Sequence, residues 1–347
     1  DILNWYYKNN YEFPWRNNSD PYAIWLSEVM LQQTQTSTVI PFYNRWLARL
    51  PDIQSVAKSH IDIILKMWEG LGYYNRARNF HTACKIIIKK HNGKMPRDLS
   101  TFSTLPGVGP YIASAVMSIA FNVPVPAIDG NAVRVSSRIN SVNIPFPKSK
   151  QIINSYLENL IDVEHPGDFN QAIMDLGREL CTPTHPSCQT CPVQNYCSSF
   201  VDNTVDKYPI RLKKQPAPNL KVAVGIIWKN NKILISRRKD GGFLGGLWEF
   251  PGGKIKQGES GSECVVRELL EELNVLVHPI SHIKNVRHSY THFSITMEAY
   301  KCQYKSGEIK AVGCADFRWV HPQEMKQLAF PRASHKLFDS IEGFVSI

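Results

Sequence analysis

Apolar positions recur at helical spacing through roughly the first two hundred residues and switch to strand-like alternation after residue 219. The segment YAIWLSEVMLQQTQ follows Asp20 and Pro21, an N-capping residue and a first-turn proline, and predicts a helix from there. The same period predicts helices near 36–49, 61–69, 75–91, 110–121, 131–140, 149–161 and 168–180, with almost no strand alternation before 205. At 206–219, DKYPIRLKKQPAPN replaces periodic apolar positions with prolines and basic residues, which predicts an exposed linker. Past it, KVAVGIIW and KILISRR flank Asn230 and Asn231 as a hairpin would. SITMEAYKC and FRWV read as further strands around a helix near 260–273. Two domains are therefore expected, an all-α one over 1–205 and an α+β one over 220–347, and 347 residues suffice for two cores.

Composition changes this picture little: 43% hydrophobic and 20% charged residues are those of an ordinary globular chain. The net charge of +10 favours a polyanionic partner such as nucleic acid, although an anionic membrane surface would read the same way. The longest apolar run, YIASAVMSIAF at 111–121, is too short to span a bilayer, so no membrane partner is expected. The N-terminal DILNWYYKNN lacks the form of a secretion signal, and a start at Asp1 rather than Met leaves room for a preceding segment.

Half of the eight cysteines lie within CTPTHPSCQTCPVQNYC, where Cys181, Cys188, Cys191 and Cys197 are spaced by six, two and five residues. Four thiolates in one loop suit tetrahedral zinc or a cubane iron–sulfur cluster equally well, and chemistry alone does not separate the two. Two disulfides fit less well in a chain without a secretion signal or a wider cysteine framework.

Two carboxylates stand out. Glu28, on the predicted helix, has Ile24, Trp25, Leu31 and Gln32 as its neighbours three and four places away, so its carboxyl faces apolar surroundings and its pKa should rise. Asp129, in PAIDGNAVRV, precedes a predicted helix, whose free amides should keep it ionised, whether as a plain N-cap or as a working group. One protonated and one ionised carboxyl form the pair that glycosidic-bond cleavage needs. Between them LPGVGPYIASAV combines Gly107 and Gly109 with a helix start that can hold a phosphate. An ordinary glycine turn between packed helices would give the same pattern.

The cysteine spacing at the end of a helical domain resembles the [4Fe–4S] loop of the endonuclease III superfamily of DNA glycosylases. Taken in order, SEVMLQQTQ, GLGYYNRARN, LPGVGPY, AIDGN and the cysteine loop resemble the MutY adenine DNA glycosylases. That resemblance implies a monofunctional enzyme removing adenine opposite 8-oxoguanine or guanine in duplex DNA, acting as a monomer. Glu28 would protonate adenine at N7 and then serve the attacking water, Asp129 would stabilise the sugar cation, and Asn131 and Tyr111 would support the site. Bifunctional relatives carry a lysine where this chain has Tyr111, so no efficient strand cleavage is expected. Further implied are Gln33 and Tyr73 as wedges and Trp15, Arg16, Leu31 and Gln171 as pocket lining, although core packing would equally explain Trp15, Leu31 and Tyr73.

In the second half, GGKIKQGESGSECVVRELLEELNV follows the Nudix box from Gly253 through Glu259, Arg267, Glu268, Glu271 and Glu272, departing only at Asn274. The acidic trio Glu268, Glu271 and Glu272 shares a helix face that could hold Mg2+, or be simply a solvated face. MutY proteins carry a C-terminal domain similar to MutT, which implies lesion recognition here, with Tyr290, Thr291 and His292 of HSYTHFSIT beside the oxidised base. Three rival readings stay open: an endonuclease III-like lyase, a nucleotide diphosphate hydrolase with a DNA-binding module, and a DNA-bound redox sensor. A nucleoid or cytoplasmic location follows for a bacterial source, and a nuclear or mitochondrial one for a eukaryotic source.

Overall fold

The computed structural model describes residues 1–9, 11–16, 18–212 and 217–344. Part of the expected linker, 213–216, lies outside the described residues. The chain divides into two compact units, Asp1–Lys58 with Asn79–Lys214, and Ser59–Arg78 with Gln215–Ile347. Ser59–Arg78 therefore packs with the second unit although it lies well before the linker.

The first unit is helical. Asp20 accepts from the Tyr22 amide at 3.0 Å and Pro21 opens the helix Pro21–Leu31, as the sequence led one to expect. Nine of its eleven residues are buried, because a helix that is apolar on every face belongs inside a core. Trp25 packs on Phe80 at 4.4 Å between ring centroids, and Tyr22 bridges the Trp46 indole and the Leu50 carbonyl. The helix stops short of the predicted run, since Gln33 adopts a left-handed φ of 55°. Thr36–Arg49, Pro110–Phe121, Gly130–Ile139 and Lys150–Leu160 fall close to their predicted spans. Ile2–Asn9, Ile53–Lys58 and Leu99–Ser103 are too short to have shown a period.

The helix Pro166–Glu179 organises what lies around it. A Cβ at Gly167 would stand 2.8 Å from the Ile119 Cα, and one at Gly177 would stand 2.6 Å from the Asn131 Cβ. Two glycines thus let this helix approach Pro110–Phe121 and Gly130–Ile139 at backbone distance. Buried Asn170 on the same helix donates to the Val125 carbonyl and accepts from the Ala127 amide, both at 2.9 Å, fixing the extended run that leads to Asp129.

The second unit is built on a seven-stranded sheet. Its strands are β1 (Asn219–Lys229), β2 (Lys232–Arg237), β3 (Trp248–Glu249), β4 (Gly252–Lys254), β5 (Leu276–Ser289), β6 (Ser294–Ser306) and β7 (Asp316–Val320). The order is β3-β2-β1-β6-β5, with β1 and β6 parallel, β4 added to β1 and β7 to β2. Asn230 and Asn231 turn the β1–β2 hairpin at φ 50° and 60°, the left-handed pair that such turns require. Helix Gly261–Leu273, closed by a Ser260–Glu263 capping box, covers one face through Val265, Leu269 and Leu273. Helix Arg332–Phe338 covers the other through Ala333, Leu337 and Phe338. Strand β5 was not anticipated from sequence. It is an edge strand, largely exposed, interrupted by Pro279 and by register shifts, so it carries no apolar alternation.

The close approach at Gly167 makes a clear demand. Gly167→Ala should destabilise the first unit by roughly 1–3 kcal/mol through overpacking against backbone, whereas Gly130→Ala, whose added methyl would meet nothing within 4 Å, should be near neutral; thermal unfolding of both variants checks this.

Candidate active site

Glu28 sits on the last two turns of Pro21–Leu31 with 6% of its surface exposed. The Tyr111 hydroxyl, from the first turn of Pro110–Phe121, donates to Glu28 Oε2 at 2.6 Å and lies 3.7 Å from Met174 Sδ. Burial raises the Glu28 pKa. The Tyr111 bond and the Arg16 guanidinium pull it back in part, and the Asp129 carboxylate pushes it up again. That last effect brings the two acidic groups singled out in the sequence into one electrostatic neighbourhood.

Asp129 is the N-cap of Gly130–Ile139. Its Oδ1 accepts from the Ala132 amide at 2.7 Å and its Oδ2 from Asn131 Nδ2 at 2.8 Å. Amides and Asn131 do lower the Asp129 pKa, but burial is the larger effect and the net shift is upward, because a helix start inside a core loses more hydration than its amides return. The sequence shows the cap but not the burial.

A chain of hydrogen bonds runs on from Asp129. The Asn131 side-chain oxygen accepts from Arg134 at 2.7 Å, and Arg134 also donates to the carbonyls of Gly177 and Cys181, both at 2.7 Å. Fully buried Arg138 donates to Cys181 Sγ at 3.3 Å and to the Thr182 carbonyl at 2.8 Å. Cys181, Cys188, Cys191 and Cys197 are all free thiols and line a single, largely apolar cavity with Val135, Leu176 and Val193. The two arginines were not singled out from sequence, although their i, i+4 spacing places them on one helix face.

The other expected site residues divide between core and surface. Trp15 is buried, stacked on Phe13 at 5.4 Å and edge-on to Tyr43. Arg16 is committed to buried Asp175 by bonds of 3.0 and 3.1 Å and to the Tyr6 hydroxyl at 2.9 Å. Leu31 closes its helix half-buried, and exposed Gln33 follows it in left-handed conformation. Gln171 is half-buried, its amide 3.5 Å from Asp168. Gly107, at φ 79° with Asn79 2.7 Å from a would-be Cβ, makes the tight turn, and Gly109 caps Pro110–Phe121 with open space beside it.

In the second unit Tyr290, Thr291 and His292 form the β5–β6 turn, closed by the Tyr290 amide on the Phe293 carbonyl at 2.8 Å rather than continuing a strand. Tyr290 packs on Phe243 and Phe293, Thr291 and His292 are exposed, and the Thr291 hydroxyl is hydrogen-bonded to that of Tyr73. On the Nudix-box helix Arg267 binds Glu259, Glu268 and Glu271. Glu268 and Glu272 line a cleft with Glu249, Arg238, Phe243 and Tyr290, while Glu271 is exposed and outside that lining. Burial, with Glu249 and Glu268 nearby, raises Glu272 to about 7. Among the described residues no three His, Cys, Asp or Glu are drawn together tightly enough to hold a single metal ion.

A model of HhH-GPD superfamily base excision DNA repair proteins matches residues 26–162, and a NUDIX domain model matches 223–340. The adenine DNA glycosylase of Mus musculus is 31% identical over 99% of this chain and 77% of its own length. The chain belongs to the adenine DNA glycosylase family. Another member, from Buchnera aphidicola subsp. Baizongia pistaciae, is 33% identical over 85% of this chain and 82% of its own length. Among solved structures, a thermostable thymine-DNA glycosylase is similar at 28% identity with a TM-score of 0.54, covering 58% of this chain and 94% of that one. Endonuclease III trapped covalently on DNA is similar at 25% identity and a TM-score of 0.51, over 58% of this chain and 95% of that one. The fold class is thus the expected one, an all-α helix-hairpin-helix glycosylase domain followed by an α+β Nudix-like domain. Among the described residues no helix is long and apolar enough to cross a membrane.

The buried acid carries a cost that can be measured. Since its folded pKa is raised, the stability linked to Glu28 is complete below the ordinary glutamate pKa of about 4.3 and is lost as pH rises through the folded value. Glu28→Gln should therefore melt later than the parent at neutral pH, by about 1 kcal/mol, with the gain vanishing in acid; a lower melting point at neutral pH would contradict the assignment.

Proposed function

We propose that this protein excises adenine from duplex DNA in base excision repair, acting on adenine opposite 8-oxoguanine or guanine by hydrolysis without strand cleavage. The single observation carrying this reading is the Tyr111–Glu28 bond in a buried site electrostatically coupled to Asp129, within a member of the adenine DNA glycosylase family.

Buried Glu28 holds its proton at higher pH than an exposed glutamate and delivers it to adenine N7. Protonation makes adenine a neutral leaving group, the C1′–N9 bond breaks, and an oxocarbenium-like sugar develops. Asp129 faces that cation. Positive charge arriving beside it favours its ionised form, which offsets the upward push of burial, and the Ala132 amide and Asn131 hold both carboxylate oxygens in place. Glu28, now a carboxylate, takes the proton of the attacking water, giving free adenine and an abasic site. Tyr111 fixes the Glu28 rotamer throughout. It also fills the position where bifunctional relatives place an amine, so this residue offers no Schiff-base partner.

Four cysteines lining one apolar cavity, with a buried guanidinium on Cys181 Sγ, fit a [4Fe–4S] group. Four thiolates would suit zinc as well, and the resemblance of the six-two-five spacing to the endonuclease III loop is what favours the cluster. Bound there, it would tie Cys188, Cys191 and Cys197 of the loop to Cys181 at the end of Pro166–Glu179, with Val135 and Arg138 lining the same cavity, and no catalytic step needs it. The Mg2+ set fits less well, since Glu268 and Glu271 are both paired with Arg267 and Glu271 stands apart from the cleft. Lesion recognition by Tyr290, Thr291 and His292, rather than nucleotide hydrolysis, is the reading of the second unit that this favours. Duplex DNA as partner agrees with a net charge of +10.

Duplexes that differ only in the base opposite adenine decide the matter. Alkali should reveal abasic sites opposite 8-oxoguanine and guanine but not thymine, Glu28→Gln should lose at least about a thousandfold in rate, and borohydride should trap no adduct. Release of no adenine from any duplex would reject the proposal.

A further inference from the structure

Glu69 follows the helix Ile61–Trp68 and is 16% exposed. Its carboxylate gathers three partners. Oε1 accepts from the Phe330 amide at 2.8 Å and pairs with His335 Nε2 at 2.8 Å, while Oε2 is ion-paired with Lys66. Lys66 in turn donates to the Leu328 carbonyl at 3.1 Å. Burial alone would raise this carboxyl, yet the bonds from His335, Lys66 and the Phe330 amide outweigh it and hold the group below its ordinary value. All of these residues belong to the second unit.

From Glu69 the chain enters a turn that an ordinary sequence would avoid. Gly70 and Gly72 adopt φ of 106° and 71°, and Tyr73 follows at 47°, a conformation that costs a non-glycine residue about 1–2 kcal/mol. The turn is internally braced. Trp68 Nε1 donates to the Gly72 carbonyl at 3.1 Å, and buried Arg76 donates to the carbonyls of Leu71 and Gly72 while lying over the Trp68 and Tyr73 rings. At its tip the Tyr73 hydroxyl meets that of Thr291 in the β5–β6 turn. A strained tyrosine between two braced turns keeps its place only if both ends are fixed, and Glu69 is the fixture on its own side.

We propose that Glu69 is a positioning residue for recognition of the base opposite adenine: by bonding the Phe330 amide and His335 it sets the Glu69–Arg76 turn so that Tyr73 and Thr291 form one recognition surface. The inference rests on the functional reading above, in which Thr291 meets the lesion, and on Tyr73, expected as a wedge, being hydrogen-bonded to it. Glu69 itself touches no DNA and acts only through the registration of Tyr73 against Thr291.

A double-mutant cycle tests it on the full chain. Single-turnover rates and KM are measured on duplexes with adenine opposite 8-oxoguanine or guanine for the parent, Glu69→Ala, Thr291→Val and the pair. Glu69→Ala should cut the preference for 8-oxoguanine at least tenfold, chiefly through KM, with the rate on the guanine duplex and the thermal midpoint of the first unit little changed. Glu69→Gln, which keeps an acceptor for Phe330, should recover part of the preference. The double variant should be no worse than the poorer single one, because both act on one surface. Additive losses, or an equal loss on both duplexes, would overturn the proposal while leaving adenine excision standing. A parent enzyme with no preference between the duplexes would overturn the lesion-recognition reading and this inference with it.

Discussion

Removal of one carboxyl group from water is the constraint on which the proposed chemistry rests. Glu28 lies on a helix with no polar face to spare, and it is hydrogen-bonded by Tyr111, a group that donates but brings no charge. Such an environment favours the neutral acid. Asp129, also buried and also raised by that burial, has both oxygens hydrogen-bonded, by an amide and a carboxamide that favour its anion. Two carboxyls raised by the same burial thus differ in what each is bonded to, a phenol hydroxyl for Glu28 and an amide with a carboxamide for Asp129.

The helix Pro166–Glu179 makes that arrangement possible. Its glycines let neighbouring helices come within backbone distance, its Asn170 pins the run before Asp129, and its Gly177 carbonyl shares Arg134 with Asn131. Arg134 then reaches the Cys181 carbonyl and so joins the cysteine loop to the acidic site, while Arg138 on the same helix adds a second hold on the loop at the Cys181 sulfur. Stability and chemistry are coupled here. Loosening the loop would slacken the bonds that aim Asn131 at Asp129.

Much of this was legible in the chain. Asp20–Pro21 marked a helix start, Asn230–Asn231 marked a hairpin, and the cysteine spacing marked a loop with one shared purpose, each because the signal is local. What escaped depends on residues far apart in sequence. Asp175 pairs with Arg16 across 159 residues of sequence, a partnership that no local pattern around Arg16 announces. Burial, which no short motif reports, outweighs the amides at Asp129 and raises its pKa. Strand β5 was hidden by its polarity, and the packing of Ser59–Arg78 with the second unit by the continuity of helical patterning on both sides of it.

The chemistry stands most directly on the protonation of Glu28. The measurement that tests it is the pH dependence of single-turnover adenine release, for the parent and for Tyr111→Phe. Release should fall as pH rises through an apparent pKa above the ordinary glutamate range, and loss of the Tyr111 bond, which favours the charged form, should move that fall to higher pH. A rate that climbs through neutral pH, or a fall that moves to lower pH in Tyr111→Phe, would contradict a buried, protonated Glu28 as the acid.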